Sequence, residues 1–170
     1  MIFAHFTPVL ATRRGFTTAD DSSWNIREYD VHGRLERSIR RAAPPTPATS
    51  NAIAAYRKAF ESAISKQPGL PPQARSELVA QVRDAPSAET IPVFDDVIHG
   101  SDGSYWLSRY DPTQAFDFES HSVIDSTGRY LGDIPMPKGE HLVAVTRAEI
   151  YTVGTTPTGG PVLSRRPIVR

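Results

Sequence analysis

Asp95 and Asp96 are adjacent carboxylates, the residues of this chain whose type and spacing come closest to chemistry. Hard oxygen donors side by side suit calcium, which takes about six to eight oxygen ligands. Side chains alternate along a strand, so an extended Asp95-Asp96 sends one carboxylate to each side. One carboxylate falls far short of a calcium shell. The expectation is therefore a solvated or structurally bonded pair, with no cofactor and calcium as the one candidate. Arg109, on the strand face it shares with Tyr105 and Leu107, completes the set of candidate ligand-binding residues.

Other reactive groups are scattered. His5, His32, His99, His121 and His141 show no His-x-x-x-His or His-Glu-x-x-His spacing. His32 reads as a turn residue and His99, before Gly100, as a strand end. There is no cysteine, which removes disulfides, thiolate nucleophiles and Cys-based zinc sites. No Gly-x-Ser-x-Gly elbow and no phosphate-cradling glycine loop occurs. Catalytic residues are accordingly not assigned, and a binding role is expected over an enzymatic one. Arg34, Arg37, Arg40 and Arg41 are basic, but Glu36 interrupts them and no aromatic residue interleaves. They read as a solvated, charge-protected sheet edge rather than a nucleic-acid surface. Tyr105, Trp106, Tyr110, Phe116 and Phe118 could line a groove; Trp106 is expected in a core instead.

The elements that position these residues are mostly strands. The 170 residues suffice for one domain with a core, and the formal net charge is zero. No apolar run approaches the ~20 residues of a membrane helix. The opening MIFAHFTPVLATRRGF has no basic stretch before its apolar part, and His5 and Pro8 interrupt that part. It reads as a strand, Met1 to Leu10, and not as a signal peptide. Strands follow at Gly15–Ala19, Trp24–Asp30 and Arg34–Arg41. Pro44, Pro45 and Pro47 mark a linker. Ile53, Tyr56, Phe60 and Ile64 then recur at helical steps, with Thr49, Ser50 or Asn51 as N-cap. Pro71-Pro72 opens a second helix whose face is Ala74, Leu78, Val82 and Ala85, ended by Pro86. This αα-hairpin has narrow apolar stripes and is expected to cover the sheet. From Ile91 strands return as a four-stranded antiparallel unit to Pro137, followed by three more to Ile168.

One repeat is visible. Asp30-x-x-Gly33-Arg34 with Ile39 matches Asp125-x-x-Gly128-Arg129 with Ile134. A looser match relates 102–106 to 147–151. Units of about 40–50 residues, each of four short strands, mark a β-propeller. The segments IREYDVHGRLERSI (26–39) and VIDSTGRYLGDIP (123–135), with Tyr105-Trp106-Leu107, resemble the C-terminal part of bacterial six-bladed β-propellers of the NHL and TolB-like kind. The resemblance implies a mainly β partial propeller of two to three blades with an inserted αα-hairpin. Residues 1–41 would be a blade part, 42–90 linker and insertion, 91–137 a complete blade, and 138–170 a terminal partial blade. It implies an exported or periplasmic protein, of which this chain would be a fragment. It also places Asp95 and Asp96 on an innermost strand lining a channel, where lactonase-type propellers hold calcium. The expected function is a non-catalytic binding or scaffold module; the alternative is a calcium-dependent lactonase-like hydrolase. A protein, a small ligand, a second copy or the missing propeller half are the expected partners, with no nucleic acid and no membrane span.

Overall fold

The computed structural model describes residues 1–42, 44–114, 120–156 and 158–168. Phe116 and Phe118, expected in an aromatic groove, lie outside them. The chain is mainly β, laid down as successive antiparallel meanders. Strands β1 (Val9–Thr12), β2 (Gly15–Asp20), β3 (Trp24–Asp30) and β4 (Leu35–Arg41) form the first sheet in that order. A two-residue ribbon, β5 (Thr46–Pro47) with β6 (Thr90–Ile91), brackets helices α1 (Ser50–Lys66) and α2 (Pro72–Asp84). Strands β7 (Phe94–His99), β8 (Tyr105–Arg109), β9 (Ser120–Ile124) and β10 (Tyr130–Pro135) form the second sheet. Strands β11 (His141–Val145), β12 (Glu149–Thr155) and β13 (Pro161–Pro167) form a third, three-stranded sheet.

Period-two patterning decides which faces meet. Ala19, Trp24 and Ile26 of the first sheet pack against Phe94, Val97, Tyr105, Leu107 and Ile124 of the second. The opposite face of the second sheet sends Trp106 and Val123 against Leu142, Val145 and Ile150 of the third. Tyr105 and Trp106, adjacent on β8, thus serve different cores, as alternation requires. Trp106 is buried between sheets, as expected. Burying such a side chain stabilises by about 1.5–3 kcal/mol, so the second sheet gains on both faces.

The repeated hairpins occupy equivalent places in the first and second sheets. Asp30 Oδ1 accepts from the His32 and Arg34 amides at 2.8 and 2.9 Å. Asp125 Oδ1 accepts from the Thr127 and Arg129 amides at 2.9 and 3.0 Å. Gly33 at φ 79° and Gly128 at φ 91° supply the left-handed residue each turn needs. The same backbone ring closes at Gly100–Ser104 and at Thr156–Gly160. There Ser104 leans on Asp102, and Thr156 Oγ1 takes the role of the aspartate.

Two expectations are corrected. Met1 to Leu10 is not a strand: β1 begins at Val9, and Ile2 makes only an isolated bridge to Ser87. Ile2 and Phe3 are adjacent yet enter the same core, which the alternation of a strand forbids; Phe3 at φ 57° breaks that alternation. The helical hairpin covers the two-residue ribbon and the N-terminal segment rather than a four-stranded sheet. Its stripe, through Ala52, Ile53, Tyr56 and Val82, closes over Ile2, Phe3, Ile91 and Tyr110. The Thr49 N-cap holds, its Oγ1 accepting from the Ala52 amide at 3.3 Å. Among the described residues no helix is long and apolar enough to cross a membrane.

Candidate functional site

Asp95 sits on a β-bulge. Phe94 pairs with Arg109 and Asp96 with Ser108, leaving Asp95 extra. Phe94 and Val97 consequently both enter the core between the first and second sheets. Simple alternation therefore does not govern the pair: Asp95 is half-buried and Asp96 exposed. Burial raises the Asp95 carboxyl above its ordinary range, and the nearby charges of Asp96 and Asp21 raise it further. Asp96 is exposed and its Oδ1 accepts from the Val97 amide at 2.8 Å. Among the described residues no three His, Asp or Glu converge as metal ligands. The pair does not fit calcium, and no hydrolytic step follows from it.

Arg109 is not brought to that pair. It ends β8 on the opposite face and donates to Asp133 Oδ2 at 3.0 Å across the sheet. Asp133 Oδ1 also accepts from Ser122 Oγ at 2.5 Å and Tyr130 Oη at 2.7 Å. Burial raises that carboxyl, but those hydrogen bonds and the Arg109 charge outweigh it and leave it low.

A cleft of about 780 Å³ opens at the other end of the strands. It is framed by the β1–β2 turn at Arg13 and Arg14, the β7–β8 turn at Ser101 and Asp102, and the end of β11. Its floor is a hydrogen-bonded set from two sheets. Tyr105 Oη donates to Glu28 Oε1 at 2.8 Å. With its one proton so committed, Tyr105 accepts from Thr17 Oγ1 at 3.0 Å. Arg37 closes the set, donating to Glu28 and, at 2.7 Å, to the Ser126 carbonyl of the neighbouring sheet. The His99 ring lies 4.9 Å from that of Tyr105.

The environment fixes the charges. Burial works against the Glu28 carboxylate, yet the hydrogen bonds from Arg37 and Tyr105 and the Arg37 charge hold it below its ordinary range. Burial, with Glu28 beside it, pushes the Tyr105 phenol up, so it stays a donor. Burial lowers His99 despite the Glu28 charge, keeping the imidazole neutral at pH 7. Every floor hydroxyl is thus engaged with a partner that is not a base awaiting its proton. Arg13 and Arg14 carry their side chains at the exposed rim.

Sequence reasoning missed this floor because its members lie 77 and 88 residues apart. One signal was present: Glu28 follows Trp24 and Ile26 on the buried face of β3, where a charge needs partners. The basic group does lie along the edge strand β4 with Arg34, Arg40 and Arg41 exposed, as read, but three of its members also have partners. Arg34 is paired with Asp30, Arg37 with Glu28, and Arg41 stacks on two rings. Of the aromatic set, Tyr105 reaches the cleft, whereas Tyr110 packs on Phe3 under the helices. His32 is exposed on its turn, His121 is buried between sheets, and His5 is held by Asp21 and Thr90. No protein-family model, curated protein or solved structure matches the chain.

Proposed function

We propose that the chain is a binding module, an arc of a β-propeller whose recognition site is the cleft at the strand ends. The observation that carries the binding reading is the hydrogen-bonded floor. Glu28, Arg37, Tyr105 and Thr17 are hydrogen-bonded in series beneath a cleft drawn from three sheets, with the buried Arg37 Nε left unpartnered among the described residues. Such a floor orients polar groups without a floor hydroxyl facing a free base, which favours recognition over reaction. A volume near 780 Å³ falls in the range of about 300–1,000 Å³ that holds a small molecule or a short peptide segment. Successive meanders packed face to face, with β7 and β11 side by side, support the propeller reading.

The cleft lies away from the helical hairpin, which enters at the start of β7 while the cleft gathers the end of that strand. A fragment library screened by ligand-observed NMR tests the reading. Binders are expected whose signals weaken on Arg13→Ala, Arg14→Ala or Glu28→Gln. Binders indifferent to all three substitutions, or turnover of a bound compound that stops on Tyr105→Phe, would overturn it.

A further inference from the structure

At the opposite end of the strands a hydroxyl, an imidazole and a buried carboxylate stand in series. Asp21 is 0% exposed, and its Oδ2 accepts from the Phe6 amide at 3.0 Å. Its Oδ1 lies 3.0 Å from His5 Nδ1. His5 Nε2 lies 2.9 Å from Thr90 Oγ1, from a residue 85 positions away. A carboxylate only accepts, so Asp21 places the proton of a neutral His5 on Nδ1. That leaves the Nε2 lone pair facing Thr90, whose hydroxyl must donate to it. This is the polarity of a nucleophile, its base, and the group that orients the base.

Access and surroundings agree with that polarity. The His5 side chain is 27% exposed and Thr90 is half-buried, so a reactant reaches them from solvent. Thr90 pairs with Pro47, which has no N–H, while the Ala48 amide bonds the Glu89 carbonyl. By the alternation of an antiparallel ladder, the Thr90 N–H turns away from β5, the direction in which it can meet an oxyanion formed on its own side chain. Asp21 is itself pinned through its backbone, its carbonyl accepting from Val93 at 2.8 Å.

We propose that Thr90, His5 and Asp21 form an acyl-transfer site for carboxylic esters, separate from the cleft and independent of the binding reading. Thr90 Oγ1 attacks the ester carbonyl carbon while His5 Nε2 takes its proton. The tetrahedral adduct expels the alcohol, which leaves with that proton from His5, and acyl-Thr90 remains. Water then attacks the acyl carbon, giving its proton to His5. The acid departs as Thr90 recovers its hydroxyl proton from His5. Asp21 touches no reactant and is a positioning residue.

The full chain incubated with p-nitrophenyl acetate tests this by peptide mass mapping and p-nitrophenol release. Acetylation at Thr90 is expected, retained in Thr90→Ser and lost in Thr90→Val, which keeps the shape. His5→Gln is expected to slow it by about a hundredfold or more. Asp21→Asn is expected to lower the acetylation rate constant by up to about ten-thousandfold with the half-saturating ester concentration unchanged. No acetyl group at Thr90, or acetylation equally fast in His5→Gln, overturns the proposal. Ligand binding at the cleft is untouched by either outcome.

Discussion

The Arg41 guanidinium carbon lies 4.2 Å from the ring centre of Tyr130 and 5.1 Å from that of Trp24. Arg41 ends β4, Trp24 opens β3 beside it, and Tyr130 opens β10 of the next sheet. One cation therefore clamps the outer strands of neighbouring sheets. Such contacts contribute about 0.5–2 kcal/mol, according to how far they are desolvated. Arg41→Ala should lower the unfolding free energy by ~1 kcal/mol in urea titration, and Arg41→Leu should not restore it. An unchanged midpoint in Arg41→Ala would remove the clamp.

The cleft floor gives a second expectation. Tyr105 is 1% exposed and both donates to Glu28 and accepts from Thr17. Tyr105→Phe strips a partner from each while keeping the ring. An unmade buried hydrogen bond costs about 1–3 kcal/mol, so the variant should unfold earlier by that amount. Thr17→Val in the Tyr105→Phe background should recover part of the loss, because the orphaned hydroxyl goes with it. A strictly additive double variant would contradict the coupling.

Much of this fold is written in the chain, and the parts that are not share a cause. The Asp30 and Asp125 hairpins are legible because a turn is local: an aspartate, a glycine three residues on, and the geometry follows. The Tyr105 and Trp106 division between cores is legible because alternation is local too. Ile2 and Phe3 were misplaced because a single left-handed residue, Phe3, breaks the strand pattern without any glycine to announce it. The Asp95 bulge hides likewise, since β7 reads as an unbroken strand until its register with β8 is known. Glu28–Tyr105 and His5–Thr90 are invisible in sequence because the fold, not spacing, joins residues so far apart.

Gly15 makes a close approach that tests the first hairpin. At φ 155° it brings its α-carbon so near Tyr29 that an added Cβ would sit 2.0 Å from the Tyr29 carbonyl oxygen. Backbone cannot yield as a flexible side chain does. Gly15→Ala should therefore destabilise by several kcal/mol, of the order reserved for strain at special backbone positions (~3 kcal/mol). Gly33→Ala, with open space around its Cβ, should cost only the left-handed penalty of about 1–2 kcal/mol. Equal losses for the two variants would contradict the steric account.

Acid should loosen the contact between the second and third sheets. His121 is 4% exposed, and among the described residues its Nδ1 meets no hydrogen-bond partner. Burial, then the proximity of His141, lowers it from 6.5 to about 4. The folded state thus resists a proton that the unfolded chain accepts. Stability contributed by neutral His121 is complete above pH 6.5 and falls as pH drops toward 4, by ~3 kcal/mol across that window. His121→Phe should flatten the slope of unfolding free energy against pH between 6.5 and 4, whatever its absolute stability. An unaltered slope would place the acid sensitivity elsewhere.

The outer faces of the first and third sheets are expected to seek further sheets. Leu10 turns toward the core beside the second sheet, so Val9, 65% exposed, points out. Phe16 stacks on Tyr29 at 4.8 Å on that same outer side, and Leu35, paired with Tyr29, is 56% exposed. On the far flank Leu163, paired with Val153, is 65% exposed. Exposed apolar side chains gathered on a sheet face mark a surface suited to association. A second copy of the chain can cover it, so sedimentation should show self-association rising with concentration. Leu35→Lys together with Leu163→Lys should shift the chain toward monomer without lowering its unfolding free energy by more than ~0.5 kcal/mol, since neither side chain belongs to a core. A wild-type chain that stays monomeric at high concentration would remove the assembly reading.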